Sequence, residues 1–198
     1  MYSKEIENRL DSPKVKATKK LLKETLVELL REKKLEQITV VEITDKAHLN
    51  RTTFYRHYLD VYDLYEQIVD EYAQVGESIF PVYFRKIWRG EFTGLHDELV
   101  VYWEEHKEQL KVLLLQDHQL IERIKQGNMA YVREYLQIPD DDKEINLIME
   151  FYMTGTLGII LKCLRDETPA DEMREVMTLQ YEIVTSSLLE SLNKRVKE

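Results

Sequence analysis

Residues 50–58 read Asn50-Arg51-Thr52-Thr53-Phe54-Tyr55-Arg56-His57-Tyr58, a run of guanidinium, hydroxyl, phenol and imidazole groups. Arginine pairs with guanine edges or phosphates, and hydroxyls and imidazoles donate to phosphate oxygens, so these residue types at this density suit contact with a nucleic acid. Such donors read a groove only when a rigid element holds them. Asn50 is a good N-cap, and the spacing predicts a helix over 51–58. Upstream, Thr39 followed three residues later by Glu42 forms a capping box: the hydroxyl accepts from the Glu42 amide and the carboxylate reaches back to the Thr39 amide. A short helix is expected there, with Val40, Ile43 and Ala47 on one face, and His48-Leu49 breaks it. Two short helices joined by a tight turn, the second rich in donors, make a helix-turn-helix whose second helix fits a major groove.

The elements around this pair must hold it. Ser12-Pro13 is an N-cap with proline at N1, a good helix start. Ala17, Leu21, Leu22, Thr25, Leu26, Leu29 and Leu30 then recur at helical spacing to about Lys33. Lys14, Lys16, Lys19 and Lys20 at its start can reach the sugar-phosphate backbone, or can be a solvated lysine face. Asp60 caps a further helix, whose apolar stripe of Leu64, Ile68, Tyr72 and Val75 runs to about Ile79. Pro81 is expected to break it, leaving a short helix near Val82–Trp88. Helices are also expected over about 95–105, 107–115, 119–136, 143–165 and 170–194, with Gly127 as a weak point. No strand pattern persists. The expected fold is all-α, with about nine helices: a three-helix helix-turn-helix domain over 1–59 and a helical domain over 60–198, to which the resemblance given below assigns effector binding and dimerisation.

The net charge of −9 is unevenly distributed. Residues 1–60 hold 13 Lys+Arg against 10 Asp+Glu, a balance of +3, and residues 61–198 a balance of −12. Ser12 to Lys23 contains five lysines and no acid. Screening makes the local field decide, so a basic head on an acidic body can still meet phosphates. A single cysteine, Cys163, leaves no internal disulfide and suits a cytoplasmic protein. No run of about 18 apolar residues is evident, so no membrane span is expected.

No metalloprotease, di-iron, phosphate-loop or nucleophile-elbow spacing occurs. The five histidines are scattered without metal-ligand spacing, and one cysteine does not build a zinc site. Neither catalysis, nor a metal, nor a cofactor is expected. Residues 75–136 are rich in aromatics, including Phe80, Phe84, Trp88, Tyr102, Trp103, Tyr131 and Tyr135. These suit a small-molecule pocket, and they suit a helical core equally well.

From Leu35 to Leu64, and above all in the aromatic-Tyr-x-His-aromatic run ending at Tyr58, the chain resembles TetR-family regulators. Two positions depart from the family pattern: His48 stands at the turn position that is usually glycine, and Val61 replaces a lysine that approaches a phosphate. The resemblance implies DNA contacts from Lys14, Thr39, Val40, Asn50, Arg51, Thr52, Thr53, Tyr55, Arg56 and His57. Arg51 and Thr53 would read bases; Tyr55, His57 and Thr39 would position the backbone. It further implies a homodimer on a near-palindromic double-stranded operator, joined through the last two helices at Tyr152, Gly155, Ile159, Met177, Tyr181, Val184 and Leu188. An effector pocket lined by His96, Tyr102, Trp103 and His106 is expected in the body, and the helix after Asp60 would set the spacing of the two heads. The function implied is a sequence-specific transcriptional regulator, a repressor released by a small molecule. The stretch from Gly155 to Met173 also resembles the branch that includes the activator of dihydroxyacetone kinase operons, which implies the alternative of control by a protein co-regulator.

Overall fold

Ser12 accepts from the Val15 amide at 3.3 Å and starts the first helix, α1 (Pro13–Leu30). The structure, a computed structural model, describes residues 12–89, 91, 97–116, 119–139, 141–180 and 182; at residues 87, 97–99, 103 and 116 it describes the backbone alone. After α1 come a 3₁₀ turn (Leu35–Gln37), α2 (Val40–Lys46), α3 (Arg51–Tyr55), α4 (Val61–Trp88), α5 (Asp97–Gln116), α6 (Gln119–Leu136), α7 (Lys143–Arg165) and α8 (Ala170–Gln180). Among the described residues these nine helical elements account for the secondary structure, and no strand occurs. The fold is all-α, as expected.

The chain divides into two compact units, Met1–Glu71 and Tyr72–Glu198. The division falls inside α4, beyond the junction after residue 59 that the sequence suggests. The first turns of α4 belong with the head: Val61, Leu64, Tyr65 and Ile68 are buried, and Lys23 on α1 donates to Glu71. In the head α2 packs on both α1 and α3. Leu22, Leu26, Ile43 and Phe54 are fully buried there, each contributing about 1.5–3 kcal/mol relative to exposure.

In the second unit α5 packs against α6, α7 and α8. Phe84, Val132, Leu136, Ile145, Met149 and Met153 form its buried core, with Phe80, Trp88, Tyr131 and Tyr152 packed on it. α4 runs unbroken through Pro81, contrary to expectation. The ring removes one helix hydrogen bond, at the carbonyl of Glu77. Around it Phe80, Phe84 and Trp88 lie one turn apart on one face, with Phe80–Tyr131, Phe84–Tyr135 and Trp88–Tyr135 centroids 6.1, 5.7 and 6.5 Å apart. Packing of that face outweighs the lost bond. These aromatics therefore pack as core rather than lining an open pocket. The two helices expected over 95–105 and 107–115 are likewise one, α5.

Gly127 is a crossing point rather than a kink: a Cβ there would lie 2.8 Å from Cγ of Glu77, so α4 and α6 approach at that position. α7 is by length and composition apolar enough to cross a membrane, a test that core helices also pass, and 22 % of its most apolar window is buried. Its Ile145, Met149, Met153, Cys163 and Leu164 sit in the protein core, Leu147 and Phe151 are open, and the remaining apolar side chains are half-buried. The end of the last helix lies outside the described residues.

Candidate nucleic-acid interface

Both caps read from the sequence are formed. The Thr39 hydroxyl accepts from the Glu42 amide at 3.3 Å, and the Glu42 carboxylate accepts from the Thr39 amide at 3.0 Å. Lys33 donates to the same carboxylate. That ion pair first, and the Thr39 amide second, hold the Glu42 carboxyl below its usual range. Asn50 accepts from the Thr52 amide at 2.9 Å and starts α3.

The turn between α2 and α3 closes in a Schellman arrangement. His48 donates its amide to the Asp45 carbonyl at 3.2 Å, and Leu49 donates to Thr44 at 2.8 Å. This geometry requires a left-handed residue after the cap, and His48 has φ 52°. A histidine thus does here what glycine usually does. Gln137 and Glu167, with φ 55° and 54°, end α6 and α7 in the same way.

α3 ends at Tyr55 rather than running to Tyr58 as expected, and along it and the turn that follows the two faces separate. Phe54 is 0 % and Tyr58 2 % exposed, so both point into the head, while Leu49 is half-buried. Arg51, Thr52, Tyr55 and Arg56 stand in solvent, and Thr53 and His57 are half-buried. Phe54 meets the Tyr55 and Tyr58 rings at 5.6 Å, which anchors the element carrying the donors. His57 is held below the usual imidazole range, first by burial and then by the charges of Lys19 and Arg56. Lys14 is exposed at the start of α1. A surface of this kind can donate to phosphates and base edges over the length of a short helix.

Four residues sit differently from their expected roles. The Thr39 amide and hydroxyl both donate to Glu42, so neither is idle. The Asn50 side chain is used as a cap, and Val40 is half-buried on α2. Val61 is 6 % exposed and part of the head core, so the side chain at this position faces inward. The exposed residue beside it is Tyr62; the sequence alone shows which residue follows Asp60 but not which way it faces.

In the body, Tyr102 and His106 come together, with ring centroids 4.4 Å apart, and Tyr72 meets His106 edge-on at 6.1 Å. Burial pushes the Tyr102 phenol up. Trp103 lies on α5 but its side chain, like all of His96, falls outside the described residues. Tyr72, which the helical spacing places only in an apolar stripe, is the added member of this group. Among the described residues, an open groove of about 630 Å³ lies between α6 and α7, lined by Met129, Leu147, Lys125 and Arg133 among others, and a space of about 180 Å³ lies beside Lys107, Cys163 and Glu167. Among the described residues no cluster of three or more His, Cys, Asp or Glu could hold a metal.

Of the residues expected at a dimer contact, Tyr152 and Ile159 are half-buried and Gly155 is exposed, with nothing within 4 Å of its would-be Cβ. Met177 is 3 % exposed and already covered by its own chain; on α8 it is Val176 and Leu179 that remain open. Successive helix residues differ by about 100° in direction, which explains how the neighbour and not Met177 faces out. Tyr181, Val184 and Leu188 lie outside the described residues.

No protein-family model and no curated protein matches the chain. Solved structures do. A TetR-family transcriptional regulator from Streptomyces coelicolor aligns with TM-score 0.59 and 14 % identity, covering 92 % of this chain and 89 % of its own. The dihydroxyacetone kinase operon activator DhaS aligns with TM-score 0.53 and 15 % identity, covering 89 % and 96 %. Identities this low speak for fold alone, and over about nine-tenths of its length this chain has the TetR-like fold.

Proposed function

We propose that this chain is a dimeric, sequence-specific DNA-binding transcriptional regulator of the cytoplasm. The observation that carries the reading is the two-sided α3: Phe54 and Tyr58 anchor it in the head core while Arg51, Thr52, Tyr55 and Arg56 face solvent behind a closed helix-turn-helix. The TetR-like fold supports it. Arg51 and Thr53 read base edges in the major groove; Tyr55, Arg56, His57 and Lys14 position the phosphates. Two heads on a twofold axis match two half-sites of a near-palindromic operator. The dimer forms over the open apolar face of α7, where Leu147 and Phe151 are 71 % and 73 % exposed, together with α8. An apolar surface of that kind on a helix with so little burial asks for a cover.

Control is by a small molecule in the body, near Tyr72, Tyr102 and His106, that favours a conformation whose heads no longer fit the operator; the chain is then a repressor released by ligand. The likeness to an activator, DhaS, supports a second reading in which a protein co-regulator docks on the body instead. Selection of bound duplexes from a random DNA pool tests the function. Enrichment of a motif with two related halves is the expected result, and a pool that stays random after repeated rounds refutes the reading. Repeating the selection with small-molecule extracts and with protein fractions separates the two modes of control.

A further inference from the structure

Asn128 on α6 is 8 % exposed, and its side-chain oxygen Oδ1 accepts no hydrogen bond. It is the only amide, hydroxyl or charged side chain buried among the described residues of the second unit. The two buried threonines of the head show the usual arrangement: Thr25 and Thr44 donate to the Leu21 and Val40 carbonyls at 2.7 and 2.8 Å. A buried carbonyl oxygen without a donor gives up its water and receives nothing back, so an apolar residue of similar shape would cost less here. Stability alone gives no reason for the asparagine.

The helix sets the direction of the side chain. Ile124, Asn128 and Val132 follow one another at four-residue steps, so each lies about 40° round from the one before on the inner side of α6. Val132 belongs to the apolar core, and Ile124 meets α4, where a Cβ on Gly76 would lie 3.3 Å from its Cγ1. Tyr72 precedes Gly76 by one turn and meets His106 of α5, which lies against Tyr102 at 4.4 Å. Asn128 and this ring group therefore stand two turns apart, about 11 Å, along facing sides of α4 and α6. Tyr72, Tyr102, His106 and Ile124 are half-buried and reach solvent, whereas Asn128 is closed off.

We propose that Asn128 is the hydrogen-bonding anchor of the body's small-molecule site, and that its ligand is an uncharged ring compound carrying an N–H or O–H donor, such as a phenol or a cyclic amide. The idle acceptor selects the donor. The lack of any buried counter-charge beside it selects a neutral molecule, since an unpaired charge there would lose its hydration uncompensated. The rings of Tyr72, Tyr102 and His106 favour a flat apolar body over a flexible chain. The proposal rests on the small-molecule control proposed above and names the chemistry of that molecule.

The test uses the full chain with phenol and toluene as probes, two rings of similar size that differ in a single O–H donor. Thermal melting at a series of probe concentrations gives the affinity of each. Phenol leaves hydrogen bonds to water behind, so a site without an acceptor takes toluene in preference. Here phenol is expected to bind about two- to tenfold more tightly than toluene, the worth of one hydrogen bond. Asn128→Leu is expected to melt no lower than the parent and to reverse the preference. In parallel, the side-chain amide resonance of Asn128 is expected to move further with phenol than with toluene. Failure of both probes to bind, toluene bound by the parent as well as phenol, an amide resonance that phenol leaves unmoved, or a phenol preference kept by folded Asn128→Leu would each overturn the proposal. Should the variant not fold, the readouts on the parent still decide. Phenol bound as expected, but without effect on affinity for a selected duplex, would instead overturn control through this site and leave the site standing.

Discussion

The amide of Leu49 donates to the carbonyl of Thr44 at 2.8 Å, and this bond closes the α2–α3 turn around His48 in the left-handed region. An ordinary L-residue costs about 1–2 kcal/mol there, less for histidine and asparagine, and nothing for glycine. Replacing His48, whose side chain is exposed, should therefore order stability by backbone preference alone. His48→Asn is expected near the parent, His48→Gly level with it or up to about 1 kcal/mol above, and His48→Val about 1–2 kcal/mol below. Urea denaturation of the purified proteins gives the order. A valine variant as stable as the glycine variant would show that the turn relaxes out of its present geometry.

Arg51 and Tyr55 both stand on the solvent face of α3 but carry different expectations. Arg51→Ala should lose about 1–3 kcal/mol of binding to the preferred operator and relax one base position in the selection. Tyr55→Phe should weaken all duplexes alike, because a phosphate contact carries no base identity. Tyr55 is 59 % exposed, so its substitution should leave the melting temperature close to the parent value. Sequence preference unchanged in Arg51→Ala would reassign that arginine to the backbone.

Charge in the complex comes from few groups. Lys20 is paired with Glu24 at 3.7 Å, and Lys14, Lys19 and Arg56 are the expected sources of ionic contacts. About 4–6 phosphates per dimer should be neutralised, so log affinity is expected to fall with log salt at a slope near −4 to −5. Val61→Lys should not repair this at no expense. Val61 is buried at the first turn of α4, and a lysine there forfeits about 1.5–3 kcal/mol of apolar burial. Anisotropy against salt and thermal melting of the same two proteins check both statements. A Val61→Lys protein of parental stability would mean that its stem leaves the core freely.

Phe151 is the most exposed large apolar side chain of α7 and touches the surface assigned to the dimer. Phe151→Glu is expected to give a folded monomer by sedimentation velocity, with unchanged helicity, because the monomer core does not use that ring. Operator affinity should fall with it, since a single head covers one half-site. A dimer that survives Phe151→Glu would move the interface off this face.

Glu42 supplies a pH effect with a definite sign. Its carboxyl is held down by Lys33 and the Thr39 amide, so the folded head keeps the carboxylate at a pH where the unfolded chain has already taken up a proton. The contribution is present above about pH 4.3 and is lost as pH falls through the lowered folded value. Acid unfolding followed by circular dichroism should be less steep across that window in Glu42→Gln, which is already without the charge.

How much of this was legible in the sequence follows the range of the forces involved. Caps act within four residues, so Ser12, Thr39, Asn50 and Asp60 could be read directly, and each is found accepting a backbone amide of its own first turn. The amphipathic stripe of α3 was equally local, and Phe54 and Tyr58 went inward. Pro81 was misread because its local penalty, about 3 kcal/mol, is overridden by rings from α6, more than forty residues away. Direction of facing was the harder question at Val61 and Met177, where the neighbour rather than the residue itself meets solvent. The aromatics of the body were ambiguous for a related reason: only tertiary packing distinguishes a stack such as Phe84–Trp88, at 5.9 Å, from the wall of a cavity.

Cys163 is the only thiol in the chain, and it is 5 % exposed. Thiol reagents need an accessible thiolate, so the parent protein should be nearly silent toward them under native conditions. One cysteine placed at an open position such as Leu59, 83 % exposed beside α3, then gives each subunit a single addressable point. A spin label there turns the proposed dimer into a ruler. The separation of its two recognition helices becomes a distance distribution in solution, read with operator, without it, and with each candidate effector, and the population of each spacing is counted directly.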